Sequence, residues 1–195
     1  MSLLREIQSE AVSPATKVSD LLRKCKILAY RLGNEDFKKW VESELNGYSS
    51  DDLLPSYRIL TVGSKGNFVG SFGSSFSNAD MPIHGLPERL QEKQIKAEFH
   101  QPIATVESYS LNKEGYLTQS WDPAILAQYG ANMYSDLNRI QAWKVISIAS
   151  VIGIVDTVKT RILNFVLEIE VLNPDAGEAA LNSSPIPPRK SEPDL

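Results

Sequence analysis

The sequence has one cysteine, two histidines and little excess of charge of either sign. A single cysteine, Cys25, cannot form an internal disulfide or a cysteine-rich zinc site. The net charge of -4 over 195 residues gives none of the basic excess that is typical of proteins binding nucleic acid or anionic membranes. These shortages argue against disulfide-stabilised and zinc-cluster proteins, and they favour a cytoplasmic location.

Long apolar runs are missing as well. The longest uncharged stretch towards the C-terminal half, Val145 to Val155, has 11 residues, well short of the roughly 20 that a membrane-spanning helix needs. The N-terminal residues include Arg5 and Glu6 and lack the apolar run of a secretion signal. We therefore expect neither a membrane segment nor export.

Two amphipathic helices near the N-terminus are the clearest pattern that is present. Apolar residues from Val18 to Leu32 recur every three or four positions, and a second stripe runs from Phe37 to Leu45. Between them, Gly33 can end the first helix in a left-handed conformation, and Asn34 can cap the second. The pattern predicts a helical hairpin that buries one face of each helix.

The rest of the chain mixes short strands with helices. A β-hairpin is predicted from Tyr57–Val62 and Asn67–Phe72, with "GSKG" at Gly63–Gly66 as its turn. Further strands are predicted at Ile103–Tyr109 and Met133–Ser147. Further helices are predicted at Leu3–Val12, Pro87–Glu98 and Ser150–Val171. A short helix is predicted after Asp122, with Asp122 as its N-cap and Pro123 as its first residue. Ser13 followed by Pro14 is predicted to begin the first long helix in the same way.

These elements predict an α+β fold, with the helical N-terminal hairpin and the long C-terminal helix packed on a small antiparallel sheet. Residues 1–172 are expected to form a single domain. Residues 173–195 are rich in proline and poor in large apolar residues, which predicts a disordered tail.

The first long helix carries a basic face. Residues Lys17 to Arg31 include five cations and a single acid, Asp20. A helix-turn-helix protein places its second helix in the DNA major groove, but the second helix here has more acidic than basic residues. The face is therefore interpreted either as a solvated surface or as a surface that binds a protein partner. Its candidate partner-binding residues are Arg23, Lys24, Lys26 and Arg31.

Patterns for catalysis are weak. His84 and His100 stand in predicted loops, and Cys25 lies on the apolar stripe of the first long helix. Asp20 with Asp36 and Lys38 matches the letters of a metal-dependent nuclease, but both acids lie on predicted helices. We expect no metal and no cofactor, and the sequence leaves enzymatic activity uncertain while favouring its absence.

Both ends of the sequence resemble one known family. The stretches are "SLLREIQSEAVSPATKVSDLLRKCKILAYRLGNEDFKKWVESELNGY", "YRIL" and "GIVDTVKTRILNFVLEIEVLNPDAGE". They resemble the AbiTii domain of bacterial phage-defence proteins, over Ser2 to about Glu178. The resemblance implies a cytoplasmic prokaryotic protein from an abortive-infection system, and it transfers no catalytic residues.

Two hypotheses follow from the resemblance and the residues together. The favoured one is a defence component that acts through protein–protein contacts, by self-association as a homo-oligomer or by control of a partner effector, with no membrane contact. The alternative is a nucleic-acid-binding or nucleic-acid-cutting effector that uses the basic face from Lys17 to Arg31.

Overall fold

A computed structural model describes residues 2–70, 74–130 and 137–184. The chain divides into two units. The first comprises Met1–Tyr57, His100–Leu111 and Ile152–Leu195, and the second comprises Arg58–Phe99 and Asn112–Val151. The described strands all belong to the second unit, and the sheets they form are antiparallel. The α+β class predicted from the sequence is confirmed.

The helices and strands of the described residues follow in chain order. The α-helices are α1 (Leu3–Ala11), α2 (Val18–Leu32), α3 (Glu35–Asn46), α4 (Glu88–Gln94), α5 (Ile103–Ser110), α6 (Pro123–Tyr129) and α7 (Ile148–Leu172). The strands are β1 (Ile59–Thr61), β2 (Gly63–Gly70), β3 (Ser75–Asp80), β4 (Lys96–Glu98), β5 (Tyr116–Ser120) and β6 (Leu137–Ser147). Short 3-10 helices lie at Ser56–Arg58 and Ala176–Glu178.

The α2–α3 hairpin of the first unit forms as predicted. Gly33 ends α2 with a left-handed φ of 62°, a conformation that costs glycine little. The side chain of Asn34 then caps α3 by accepting a hydrogen bond from the Phe37 N–H at 2.9 Å. The adjacent caps reverse the chain within two residues.

An apolar core fills the first unit. The predicted core residues of the hairpin are all buried, namely Leu21, Cys25, Leu28, Trp40 and Val41. The Phe37 ring stacks on Phe165 of α7 with a centroid distance of 3.9 Å. Burying each such large side chain stabilises the fold by roughly 1.5–3 kcal/mol, so the hairpin is held chiefly by its apolar face.

The predicted start of α2 was wrong. Helix α2 begins at Val18 rather than after Ser13, and the N-cap position belongs to Lys17, whose side chain makes no capping hydrogen bond. Instead, the carboxylate of Glu107 on α5 accepts hydrogen bonds from the N–H groups of Val18 and Ser19. A side chain from another helix can replace a local cap because it satisfies the same two donors.

The strand predicted at Ile103–Tyr109 was also wrong, because this segment is helix α5. Its β-branched residues favour strands locally. However, Ile103 and Val106 stand three positions apart and are both fully buried, which is the spacing of one helix face. Burial of that face decides the structure over local propensity.

Two antiparallel sheets form in the second unit. The larger has the strand order β3-β2-β6-β5, and the smaller pairs β1 with β4. Side chains that cover the larger sheet form a separate cluster, in which the Trp121 indole N–H donates to the Ser64 hydroxyl at 3.1 Å. The cluster comprises Phe68, Met81, Leu86, Trp121, Ile125 and Ala142.

The predicted hairpin at Gly63–Gly66 does not form, because these residues begin strand β2 and β1 pairs with β4 instead. A Cβ at Gly66 would stand 2.8 Å from the Gln141 carbonyl of β6. Glycine here permits close packing within the sheet rather than a turn. The actual β2 partners are β3 and β6. Of the predicted strand Asn67–Phe72, residues 71–72 lie outside the described residues.

The remaining predictions are largely confirmed. Asp122 caps α6 by accepting from the Ala124 N–H at 2.9 Å, with Pro123 as the first helical residue. The long C-terminal helix is α7. The helix predicted at Pro87–Glu98 ends at Gln94, and its last residues form β4. The extended segment is β6, and residues 133–136 lie outside the described residues.

The first part of the predicted tail makes contacts in the first unit. Ala176 and Gly177 are buried, and the Asn182 N–H donates to the Tyr30 carbonyl at 2.7 Å. The division into residues 1–172 and a tail over 173–195 stays a prediction.

Candidate functional site

The four predicted partner-binding residues all lie on α2, and each has a partner within the first unit. Arg23 pairs with Asp20 at 2.5 Å, and Lys26 pairs with Glu42 of α3 at 2.6 Å. Lys24 contacts two carboxylates of α1, Glu10 at 2.5 Å and Glu6 at 3.2 Å. The guanidinium of Arg31 donates to the Gly177 carbonyl.

These pairs change the protonation equilibria of the groups that make them. Hydrogen bonding to Glu10, with a smaller contribution from Glu6, raises the pKa of Lys24. The hydrogen bond between Lys26 and Glu42 raises the pKa of the lysine and lowers the pKa of the carboxyl. Both lysines therefore stay charged, and their charges are largely offset by the neighbouring helices.

Lys17 differs from the other cations of the basic face. It is exposed, and its ammonium has no ion pair or hydrogen bond among the described residues. Of the five predicted cations, Lys17 is therefore the one that has no partner within residues 2–70, 74–130 and 137–184. Contact of Arg23, Lys24, Lys26 and Arg31 with a partner stays a prediction.

A buried carboxylate lies at the end of α3. Glu44 is 0% exposed, and its Oε1 accepts hydrogen bonds from the hydroxyls of Tyr48 and Tyr57, both at 2.7 Å. The Trp40 indole N–H donates to the Tyr57 oxygen at 2.9 Å. Burial, and then the nearby carboxylate, raises the pKa of both tyrosines. The cluster anchors the chain that follows α3.

The residues considered for catalysis occupy separate positions. Cys25 is fully buried, and burial raises the pKa of its thiol, which opposes formation of the nucleophilic thiolate. His84 is exposed in a loop, and His100 Nδ1 lies 3.2 Å from the Ser49 carbonyl. Asp20, proposed as a nuclease ligand, pairs with Arg23. Within the described residues, no three His, Cys, Asp or Glu side chains are grouped to hold a metal ion.

An exposed apolar row runs along α7, and we call it the α7 stripe: Leu163, Leu167 and Val171. Leu167 is 44% exposed and Val171 is 85% exposed, while Leu163 is half-buried. Spacing by four places all three on one side of the helix. This row lies apart from the predicted apolar face, whose Val158, Ile162 and Phe165 are buried in the first unit.

The α7 stripe and the capping role of Glu107 are absent from the predictions made from the sequence. A signal for the stripe was present, because Leu163, Leu167 and Val171 recur outside the face already predicted to be buried. No local signal could have identified Glu107, since its partners on α2 lie 88 and 89 residues away.

The fold and these sites define an α+β protein whose helical unit carries paired surface charges and an exposed apolar helix row. None of the described helices combines the length and apolarity that crossing a membrane requires. The sequence model of the AbiTii family matches residues 2–192, so the chain belongs to the AbiTii family. This membership indicates a role in abortive infection and phage defence. No curated protein and no solved structure matches the chain.

Proposed function

We propose that this protein is a component of a bacterial abortive-infection system that acts through protein–protein contact, by self-association along α7. Membership of the AbiTii family supports the defence setting. The observation that carries the contact mechanism is the exposed α7 stripe. A cytoplasmic location and a non-enzymatic action are parts of the same proposal.

The stripe has the chemistry of a helix-pairing surface. Leu167 and Val171 expose large apolar side chains one helical turn apart. Such a row in water favours burial against another apolar surface, and amphipathic helices bind partners through anchors at this spacing. Single exposed apolar residues are ordinary on protein surfaces, so the aligned row is what distinguishes α7.

A second copy of this chain is the partner that fits. Two α7 helices packed antiparallel would place Leu163 and Leu167 of one copy against Leu167 and Leu163 of the other. The nearby charges Lys159, Arg161 and Glu170 contact Ser13, Tyr57 and Arg5 of the same chain, so the apolar row carries the proposal. Antiparallel pairing makes each contact of the row twice, as in a two-fold interface.

Light scattering on the purified protein tests this proposal. We expect the wild type to form a dimer and Leu167→Glu to be a monomer, because a buried carboxylate without a partner opposes association. Leu53→Glu is the matched control, since Leu53 is 96% exposed in the same unit and should leave the dimer intact. A wild type that is monomeric at all concentrations would refute self-association.

A phage-challenge assay tests whether self-association along α7 is needed for defence. Cells that express the wild type with its native neighbours should resist phage, and cells with Leu167→Glu should lose resistance while the variant remains folded by circular dichroism. Leu53→Glu should protect as well as the wild type. Full protection by a monomeric Leu167→Glu variant would show that defence does not require self-association, and it would contradict the proposal.

The nucleic-acid alternative receives less support. Lys24 and Lys26 already contact carboxylates, so phosphate groups would have to displace those partners. Binding of nucleic acid through Lys17 to Arg31 is therefore the second hypothesis, and charge reversal of Lys24 and Lys26 tests it.

A further inference from the structure

A pocket in the first unit lies where the α1–α2 connection, the start of α2, α5 and α7 meet. Its volume is about 370 Å³, which is in the range of small-molecule sites. Apolar residues including Ala104, Leu111 and Val155 form part of its wall. The polar lining includes Thr16, Lys17, Ser19, Glu107 and Lys159.

The charges of the pocket favour an anion. The Lys17 ammonium has no partner in the described part of the chain, and Lys159 donates only to the Ser13 carbonyl at 2.9 Å. Glu107 is the one carboxylate among the lining residues. Its two oxygens are occupied by the N–H groups of Val18 and Ser19 at 2.5 and 3.2 Å. The lining therefore holds two cations and one carboxylate, and that carboxylate already accepts two hydrogen bonds.

Ser19 offers the pocket a hydrogen-bond donor. Its side chain is almost wholly buried, at 5% exposure, and it lines the pocket. Its hydroxyl has no hydrogen-bond partner among residues 2–70, 74–130 and 137–184. Because this hydroxyl opens onto the pocket, water or an acceptor group of a ligand can accept its hydrogen bond.

The position of Lys17 opposes local helix energetics. Lys17 is the N-cap residue of α2, and a cation at a helix N-terminus interacts unfavourably with the helix dipole. A residue that conflicts with its local element often serves a site instead.

We infer that this pocket binds a small molecule that carries a phosphate group. Glu107 reduces the positive charge of the lining, and the positive end of the α2 dipole offsets part of that reduction. A phosphate monoester, with a charge near -1.5 to -2, therefore offers the two lysines more negative charge and more acceptor oxygens than a carboxylate does. Lys17 and Lys159 would pair with the phosphate, the Ser19 hydroxyl would donate to it, and the apolar wall would contact the rest of the molecule. The inference does not depend on self-association, because the pocket is formed by one chain.

Isothermal titration calorimetry with adenosine monophosphate, inorganic phosphate and adenosine tests this inference. We expect adenosine monophosphate to bind more tightly than inorganic phosphate, and adenosine to show no binding. A 5′-phosphorylated oligonucleotide distinguishes the source of the phosphate, and it should bind no more tightly than adenosine monophosphate. Absence of binding by both phosphate compounds, or tighter binding of the oligonucleotide, would overturn the small-molecule assignment.

Three variants locate the binding. Lys17→Gln and Ser19→Ala should each weaken adenosine monophosphate binding, by about tenfold for the lysine, since a charge-assisted hydrogen bond is lost. Glu107→Gln should strengthen binding, because it removes the nearby negative charge and keeps one of the two acceptor oxygens at the start of α2. A purely structural role of Glu107 would not produce this gain.

The control is Lys39→Gln, which removes an exposed lysine of α3 outside the pocket and should bind like the wild type. Equal weakening by Lys39→Gln would indicate diffuse charge attraction and overturn the pocket. Weaker binding by Glu107→Gln, in a variant whose circular dichroism is unchanged, would also contradict it.

Discussion

Glu107 and Val18 stand 89 residues apart in the sequence, and their side-chain oxygen and backbone nitrogen lie 2.5 Å apart in the fold. The second Glu107 oxygen accepts from the Ser19 N–H at 3.2 Å. Helix α2 is therefore capped by α5 and not by its own preceding residues. This contact joins the hairpin to a helix that is distant in the chain.

Removal of this cap should destabilise the protein. Glu107→Ala leaves two N–H groups at the start of α2 without their acceptor, and loss of an N-cap costs about 0.5–2 kcal/mol. Urea unfolding followed by circular dichroism should show a lower midpoint with an unchanged slope. Glu114→Ala, at an exposed glutamate of the second unit, is the control and should leave the midpoint unchanged. Equal midpoints for both variants would contradict the capping role.

The tyrosine hydroxyls around Glu44 should contribute unequally. Tyr57→Phe removes a donor to Glu44 and the acceptor of the Trp40 indole N–H, whereas Tyr48→Phe removes a donor to Glu44 and leaves that acceptor in place. Unsatisfied buried groups cost about 1–3 kcal/mol each, so Tyr57→Phe should lower the free energy of unfolding more. Tyr116→Phe, at an exposed position, should have little effect. A larger loss for Tyr48→Phe would refute this account.

Alkaline pH should weaken the fold through the same tyrosines. Burial and Glu44 raise the pKa of Tyr48 and Tyr57 in the folded state, while the unfolded chain loses these protons near pH 10. Above that pH the unfolded state binds fewer protons, so the free energy of unfolding falls as pH rises. Urea midpoints measured upward from about pH 8 should show this fall. The fall should be shallower in Tyr48→Phe, and equal slopes would count against the cluster.

The basic face of α2 should not bind nucleic acid in a salt-dependent manner. In a gel-shift experiment at low and high salt, we expect the double variant Lys24→Glu with Lys26→Glu to behave like the wild type. The reason is that both lysines already face carboxylates. Lys38→Glu combined with Lys39→Glu on α3 provides a control with the same change in charge. Salt-sensitive binding lost only in the α2 variant would restore the nucleic-acid hypothesis.

The elements with strong local signals could be predicted from the sequence. The Gly33–Asn34 junction, the Asp122 cap and the long helix α7 all form, because their caps and apolar spacing act over a few residues. Prediction was wrong where a distant contact competes with a local preference. Residues 103–109 have strand-forming composition, but burial of Ile103 and Val106 makes them helical. Gly66 was predicted to lie in a turn. It lies in strand β2 instead, where the absence of a side chain lets the backbone pack closely against β6.

The candidate sites were less predictable than the fold. Arg23, Lys24, Lys26 and Arg31 were recognised as a basic face, but charge counts along one helix cannot reveal acids supplied by α1 and α3. The α7 stripe and the pocket beside Lys17 depend on which side chains the neighbouring helices cover.

The sequence by itself determined the α+β class, the capped α2–α3 hairpin, the apolar face of α7 and membership of the AbiTii family, since these follow from composition, periodicity and family motifs. The tertiary structure alone decided that Glu107 caps α2, that four cations of α2 pair within the chain, and that the side chains of Lys17 and Ser19 have no partner in the described ranges. The physical reason is that capping, ion pairing and burial depend on atoms a few ångströms apart in space, and residues 88 or 89 positions apart become such neighbours only when the chain folds.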